Sequence, residues 1–177
     1  MPTILRDLPF FDVKTTAMVQ GRPVPIEADQ ILVWVGITGG RQSEFDRRRP
    51  FFPAILDTGN THDFSIQVSH LIHWAGLDPR SLKRRGATRV HGDHLQLLEA
   101  DVWIRPNQPG ERDRFLAEDP FHLELDWGIA AYPAEMAQAP RLPLLGLRAL
   151  RRAQLHLSID GRRQRVRLRT PRCFWFS

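Results

Sequence analysis

Cysteine is almost missing from this chain of 177 residues, where Cys173 stands alone. A single thiol excludes an internal disulfide framework and a cysteine-rich zinc site. No apolar run approaches the roughly 18 residues that cross a bilayer as a helix. The opening stretch Met1 to Asp7 has neither the basic start nor the long apolar run of a secretory leader. These absences make the cytoplasm the expected compartment and leave a membrane out of the expected partners. Lysine is scarce too: of 25 basic side chains only Lys14 and Lys83 are lysines, the others being arginine. The sequence also lacks a fixed-period repeat, a glycine-rich phosphate loop, a nucleophile elbow and a zinc-protease helix motif. No cofactor and no metal are expected.

What is present is an ordinary globular balance, 42% hydrophobic and 25% charged, which argues against a disordered chain. The length suits one domain. Many short apolar or alternating runs, separated by polar, proline and glycine punctuation, predict a mainly β domain with one or two short helices. Strands are expected at Val13 to Gln20 and Gln30 to Thr38, with Phe51 to Leu56 leading into Asp57. Val68, Leu71, Ile72 and Ala75 recur with helical spacing, and Gly76 is a fitting stop. Ala87 to His91 and Leu95 to Ile104 are expected to pair around His91-Gly92-Asp93, and Phe121 to Ala130 to form one strand. Arg105 to Pro120 reads as an irregular surface insertion. Asp160-Gly161 between alternating runs signals a closing hairpin.

The loaded position is Asp57-Thr58-Gly59-Asn60, directly after an apolar strand. The strand delivers a carboxylate to its end, the glycine frees the backbone for a tight turn, and the hydroxyl can satisfy exposed backbone groups. Late in the chain two leucines and a glycine, Leu144-Leu145-Gly146, precede a short helical stretch. In this order and separation the two motifs resemble those of retropepsin-like aspartic proteases, over about Gln30 to Arg169. The resemblance implies a closed β-barrel of the acid-protease half-domain type spanning 30–170, with 105–120 inserted, 1–29 as an N-terminal extension and 171–177 as a tail. It implies that Asp57 is the catalytic carboxylate and that Thr58 bonds across a dimer axis. Gly59 lets the carboxylates lie coplanar, and Leu144, Leu145 and Gly146 back the catalytic loop. His91, Gly92 and Asp93 fall where the flap over the substrate is expected. Asn60 departs from the usual small residue, although Asp-Thr-Gly-Asn occurs in a subset of bacterial membrane-linked relatives. Its amide could donate to the carboxylate, which predicts an acid-shifted activity optimum.

Hydrolysis of a peptide by water needs a base and an acid, and two carboxylates sharing one proton supply both. The chain carries one Asp-Thr-Gly. The nearest second candidate, Asp126-Trp127-Gly128, has an indole where the hydroxyl belongs. The expected assembly is therefore a homodimer that sets Asp57 beside its own copy, acting on a peptide or protein substrate. Two other readings stand beside it. One is a catalytically inactive retropepsin-like module for peptide binding or dimerisation. The other is a basic nucleic-acid-binding β domain, which the interspersed carboxylates and the lack of any nucleic-acid signature argue against. His70 with His73 and His91 with His94 have spacings that could hold a metal, but no third ligand is evident, so they read as structural or surface histidines. Arg163, Arg165, Arg167 and Arg169 are expected on one face of the last strand. That edge, or the tail with Phe174, Trp175 and Phe176, is a candidate dimer contact.

Overall fold

The computed structural model describes residues 2–171, so the aromatic tail and Cys173 lie outside the described residues. In chain order the elements are β1 (Thr3–Pro9), β2 (Thr15–Val19), β3 (Arg22–Ile26), β4 (Leu32–Gly39), β5 (Phe52–Asp57), β6 (Phe64–Gln67) and α1 (Val68–His73). After a 3-10 turn at Pro79–Ser81 come β7 (Arg84–Val90), β8 (Asp93–Leu98), β9 (Ala100–Ile104), β10 (Phe121–Leu123) and β11 (Ile129–Tyr132). The chain continues through β12 (Leu144–Gly146), α2 (Leu147–Arg152), β13 (His156–Asp160) and β14 (Arg165–Arg169). The architecture is mainly β with two short helices, as the punctuated pattern predicts.

Nine strands form one sheet in the order β10-β9-β4-β5-β12-β6-β11-β8-β7. At its centre β12 runs parallel to β5 and antiparallel to β6, while β11 runs parallel to β6. β4 reads as a continuous apolar run because both its faces are covered. Val33, Val35 and Ile37 enter the main core with Phe52, Phe64 and Leu145. Leu32 and Trp34 face a second cluster with Ile26 and Ile55. Burying each such side chain is worth roughly 1.5–3 kcal/mol.

The closed barrel implied by the resemblance is not formed. β8 and β9 are joined by Glu99 alone, yet five strands separate them in the sheet, so the sheet curls back on itself. Closure by a hydrogen-bonded ladder is blocked because β7 occupies the outer side of β8 and β10 that of β9. Two strand expectations change for the same reason. Leu95 to Ile104 divides at Glu99, its first half pairing with β7 and β11 and its second with β4 and β10. Phe121 to Ala130 divides into β10 and β11 at Asp126-Trp127-Gly128. Gly128 there has φ 72, and a Cβ on it would overlap the carbonyl oxygen of Leu98.

A second, three-stranded sheet has the order β1-β14-β13. β14 is therefore central and not an edge, and Arg163 lies in the turn before it. The Asp160-Gly161 hairpin forms, but through the four residues Gly161 to Gln164, with the left-handed φ carried by Gln164. Two-residue turns with both residues at positive φ occur instead at Gln20-Gly21 and His91-Gly92. Residues 3–26 are woven into the core: Ile4, Leu5, Leu8 and Val19 belong to the main cluster. The 105–120 stretch is irregular, as expected, but firmly held. Buried Arg112 donates to Thr15 Oγ1 at 2.8 Å and Thr16 O at 2.6 Å, and the Asn107 amide donates to Arg6, Gln108 and Glu111 carbonyls.

Candidate active site

β5 ends at Asp57, and its register with β12 places Leu145 opposite Leu56 and Gly146 opposite Asp57. The two motifs picked from the sequence are thus neighbours on adjacent parallel strands. Gly146 has no room for a side chain, since a Cβ would overlap the His62 carbonyl oxygen and come within 3.2 Å of Asn60 O. Its N–H donates to Asp63 O at 2.9 Å. The loop after the carboxylate therefore folds onto the glycine of β12. Leu145 is fully buried behind it, and Leu144 is partly buried.

Asp57 is half-buried, and Thr58 and Gly59 are exposed. The Gly59 N–H donates to Asp57 Oδ1 at 2.8 Å and the Asn60 N–H to Asp57 O at 3.2 Å. A Cβ on Gly59 would stand 3.3 Å from the same Oδ1, so glycine allows the amide to close on the carboxylate. Among the described residues Asp57 makes no ion pair, and Asp126, the second Asp-x-Gly candidate of the sequence, is paired with Arg152.

Asn60 does something other than what the sequence suggests. Its Nδ2 donates to Leu144 O at 3.4 Å, while its Oδ1 accepts from Ser65 Oγ at 3.1 Å and His62 N at 3.5 Å. The amide is spent on tying the loop to β12 and β6 and does not donate to Asp57. The cause given for an acid-shifted optimum is therefore absent. The Tyr132 hydroxyl nearby has its pKa raised by burial, with Ser65 pulling the other way. His62 beside them is held below the usual imidazole value, chiefly by burial and then by Arg148, with Asp63 pulling the other way.

Asp63 is a site residue that sequence reasoning left without a role. It is 1% exposed, and its Oδ2 accepts from the Trp127 N–H at 3.1 Å. It joins the Asp57 loop, the β12 glycine and the 126–128 turn at one point. A short acidic residue three places after Asn60 gave no signal of this, because its hydrogen-bond partners Trp127 and Gly146 lie far along the chain.

His91 and Gly92 form the tip of the β7–β8 hairpin, with Asp93 opening β8, and all three are exposed. Three strands separate this hairpin from β5 in the sheet order. His70 stacks on Trp74 with ring centroids 3.8 Å apart, and burial, helped by His73, pushes its pKa down to about 4. No group of three metal-ligating side chains occurs among the described residues. No protein-family model, curated protein or solved structure matches the chain.

Proposed function

We propose that the protein is an aspartic endopeptidase of retropepsin type, active as a homodimer in which two Asp57 carboxylates activate water against a peptide bond. One observation carries this reading. The strand-end carboxylate of Asp57 is held by the Gly59 amide and lies in register with Gly146 on a parallel neighbouring strand. That arrangement presents an oriented acid at an exposed loop with no ion-pair partner among the described residues.

One such acid is chemically insufficient. Beside its copy, about 3 Å away, the pair cannot ionise twice, so one carboxyl keeps a proton and the other acts as base. The base takes a proton from water as the water attacks the carbonyl carbon, and the acid protonates the carbonyl oxygen. The two then titrate as a unit. Thr58, exposed beside the carboxylate, would hydrogen-bond across the two-fold axis, and Gly59 would let the two loops approach.

The test is cleavage of a diverse peptide library between pH 3 and 8, read by mass spectrometry. Asp57→Asn should lower cleavage by at least about 10²–10⁴-fold while leaving the dimer intact. A parent protein that dimerises yet cleaves nothing in the library would leave a peptide-binding or dimerisation module. A parent that cleaves as a monomer would remove the shared dyad.

A further inference from the structure

A second feature lies on the other sheet. β1 bulges between Leu5, opposite Leu168, and Leu8, opposite Val166, so three steps on β1 match two on β14. Asp7 takes up the extra residue in the left-handed region, φ 48, which is a strained conformation for a side chain other than glycine. Bulges re-aim side chains. This one directs Asp7 onto the outer face of β14, where its Oδ1 accepts from Arg167 Nε at 2.5 Å.

A cleft of about 220 Å³ opens there, lined by Asp7, Ser158, Asp160, Arg163, Arg165 and Arg167. The cross-strand pairs Ser158 with Arg167 and Asp160 with Arg165 set the hydroxyl and the guanidinium groups side by side. The Asp7 carboxyl is held below its ordinary range, first by the Arg167 hydrogen bond, with Arg165 and Arg163 adding to the pull against the cost of burial. All three guanidinium groups line the one cleft with Asp7.

The carboxylates hold the arginines by their inner nitrogens. Asp7 engages Nε of Arg167, and Asp160 lies 3.9 Å from Nε of Arg163. Arg165 has no carboxylate partner among the described residues, and its Nη1 donates to Gln164 O at 3.1 Å. Terminal guanidinium nitrogens therefore remain available on all three. Arginine forks of this kind bind oxyanions through parallel N–H donors.

We propose that this cleft binds a single phosphate group, as inorganic phosphate or a phosphate monoester. Arg163, Arg165 and Arg167 donate to its oxygens, Ser158 Oγ adds a hydroxyl donor, and Asp7 and Asp160 orient the arginines. Three guanidinium groups set against two carboxylates leave an excess of positive charge for a bound phosphate to answer. A nucleic-acid strand fits less well, because the same two carboxylates would repel the phosphates on either side of the bound one. The proposal is independent of any peptidase activity.

The test is calorimetric titration of the full chain with inorganic phosphate and with phenyl phosphate at a fixed ionic strength of about 0.15 M. Saturable one-site binding is expected. Arg165→Gln and, in the exposed turn, Arg163→Gln should each weaken it by at least about tenfold. Arg151→Gln on α2 should leave it unchanged, and the thermal midpoint without phosphate identifies any variant that fails to fold. Absence of saturable binding, or equal binding by both cleft variants, overturns the site. Tighter binding of a short oligothymidylate that displaces phenyl phosphate overturns the single-phosphate assignment in favour of a nucleic-acid surface.

Discussion

Asn60 and Gly146 show how much of the candidate site is decided at single residues. The Asn60 amide bridges Leu144 O and Ser65 Oγ, so its role is to hold the loop. Asn60→Ala should cost about 1–3 kcal/mol of stability, measured by urea unfolding, yet leave the acid limb of any cleavage profile unmoved. A shift of that limb would mean that the amide reaches Asp57 during turnover. Gly146→Ala forces a methyl group onto the His62 carbonyl. It should destabilise by about 1–3 kcal/mol and loosen the Asp57 loop, read as faster exchange of the Gly59 amide proton. Glycine was legible at this position as part of a motif. The partner that demands it was not, because His62 and Gly146 meet only once β12 has paired with β5.

At the scale of elements, α1 and the 105–120 stretch carry the clearest consequences. α1 ends as its sequence suggests: Gly76 has φ 65, and the Leu77 N–H closes back on Leu71 O at 3.0 Å. His70 on that helix has its pKa lowered to about 4 by burial and by His73. A histidine depressed in the folded state binds fewer protons there than in the unfolded chain. Its contribution is complete above the unfolded value near 6.5 and is lost as the pH falls toward 4. Between those limits stability should decline with acid, and His70→Gln should flatten the slope, as measured by thermal unfolding at stepped pH. The 105–120 stretch reads as surface because it is polar and rich in proline. Arg112 reverses that reading by reaching Thr15 and Thr16. Arg112→Met should cost about 1.5–3 kcal/mol and free the β2–β3 hairpin to proteolysis. Buried arginines are rare, so an arginine in a polar loop carries no local signal of burial.

For the whole molecule the decisive matter is association. If catalysis needs two Asp57 side chains, specific cleavage activity should fall on dilution below the dimer dissociation constant. Sedimentation at the same concentrations should show twice the chain mass giving way to the chain mass. Activity that stays constant while the mass halves would place the whole reaction within one chain. The candidate contact surface also narrows. β14 lies between β1 and β13, so its backbone cannot add a strand from a second copy. Among the described residues only β1 and β13 stand at the edges of the three-stranded sheet.

Local patterning by itself determined the mainly β character, the strand that delivers Asp57 and the short helix that stops ahead of Gly76. Each of these follows from alternation, glycine conformational freedom or helical spacing within a few residues. Only the tertiary structure decided that the sheet curls without closing, that Glu99 and Asp126-Trp127-Gly128 each split an apparent strand in two, and that Asp63 and Asn60 tie the loop after Asp57. Strand order and register are set by which apolar faces can be buried together over long sequence separations. Alternation along one strand says which side chains share a face, and nothing about which strand lies beside it.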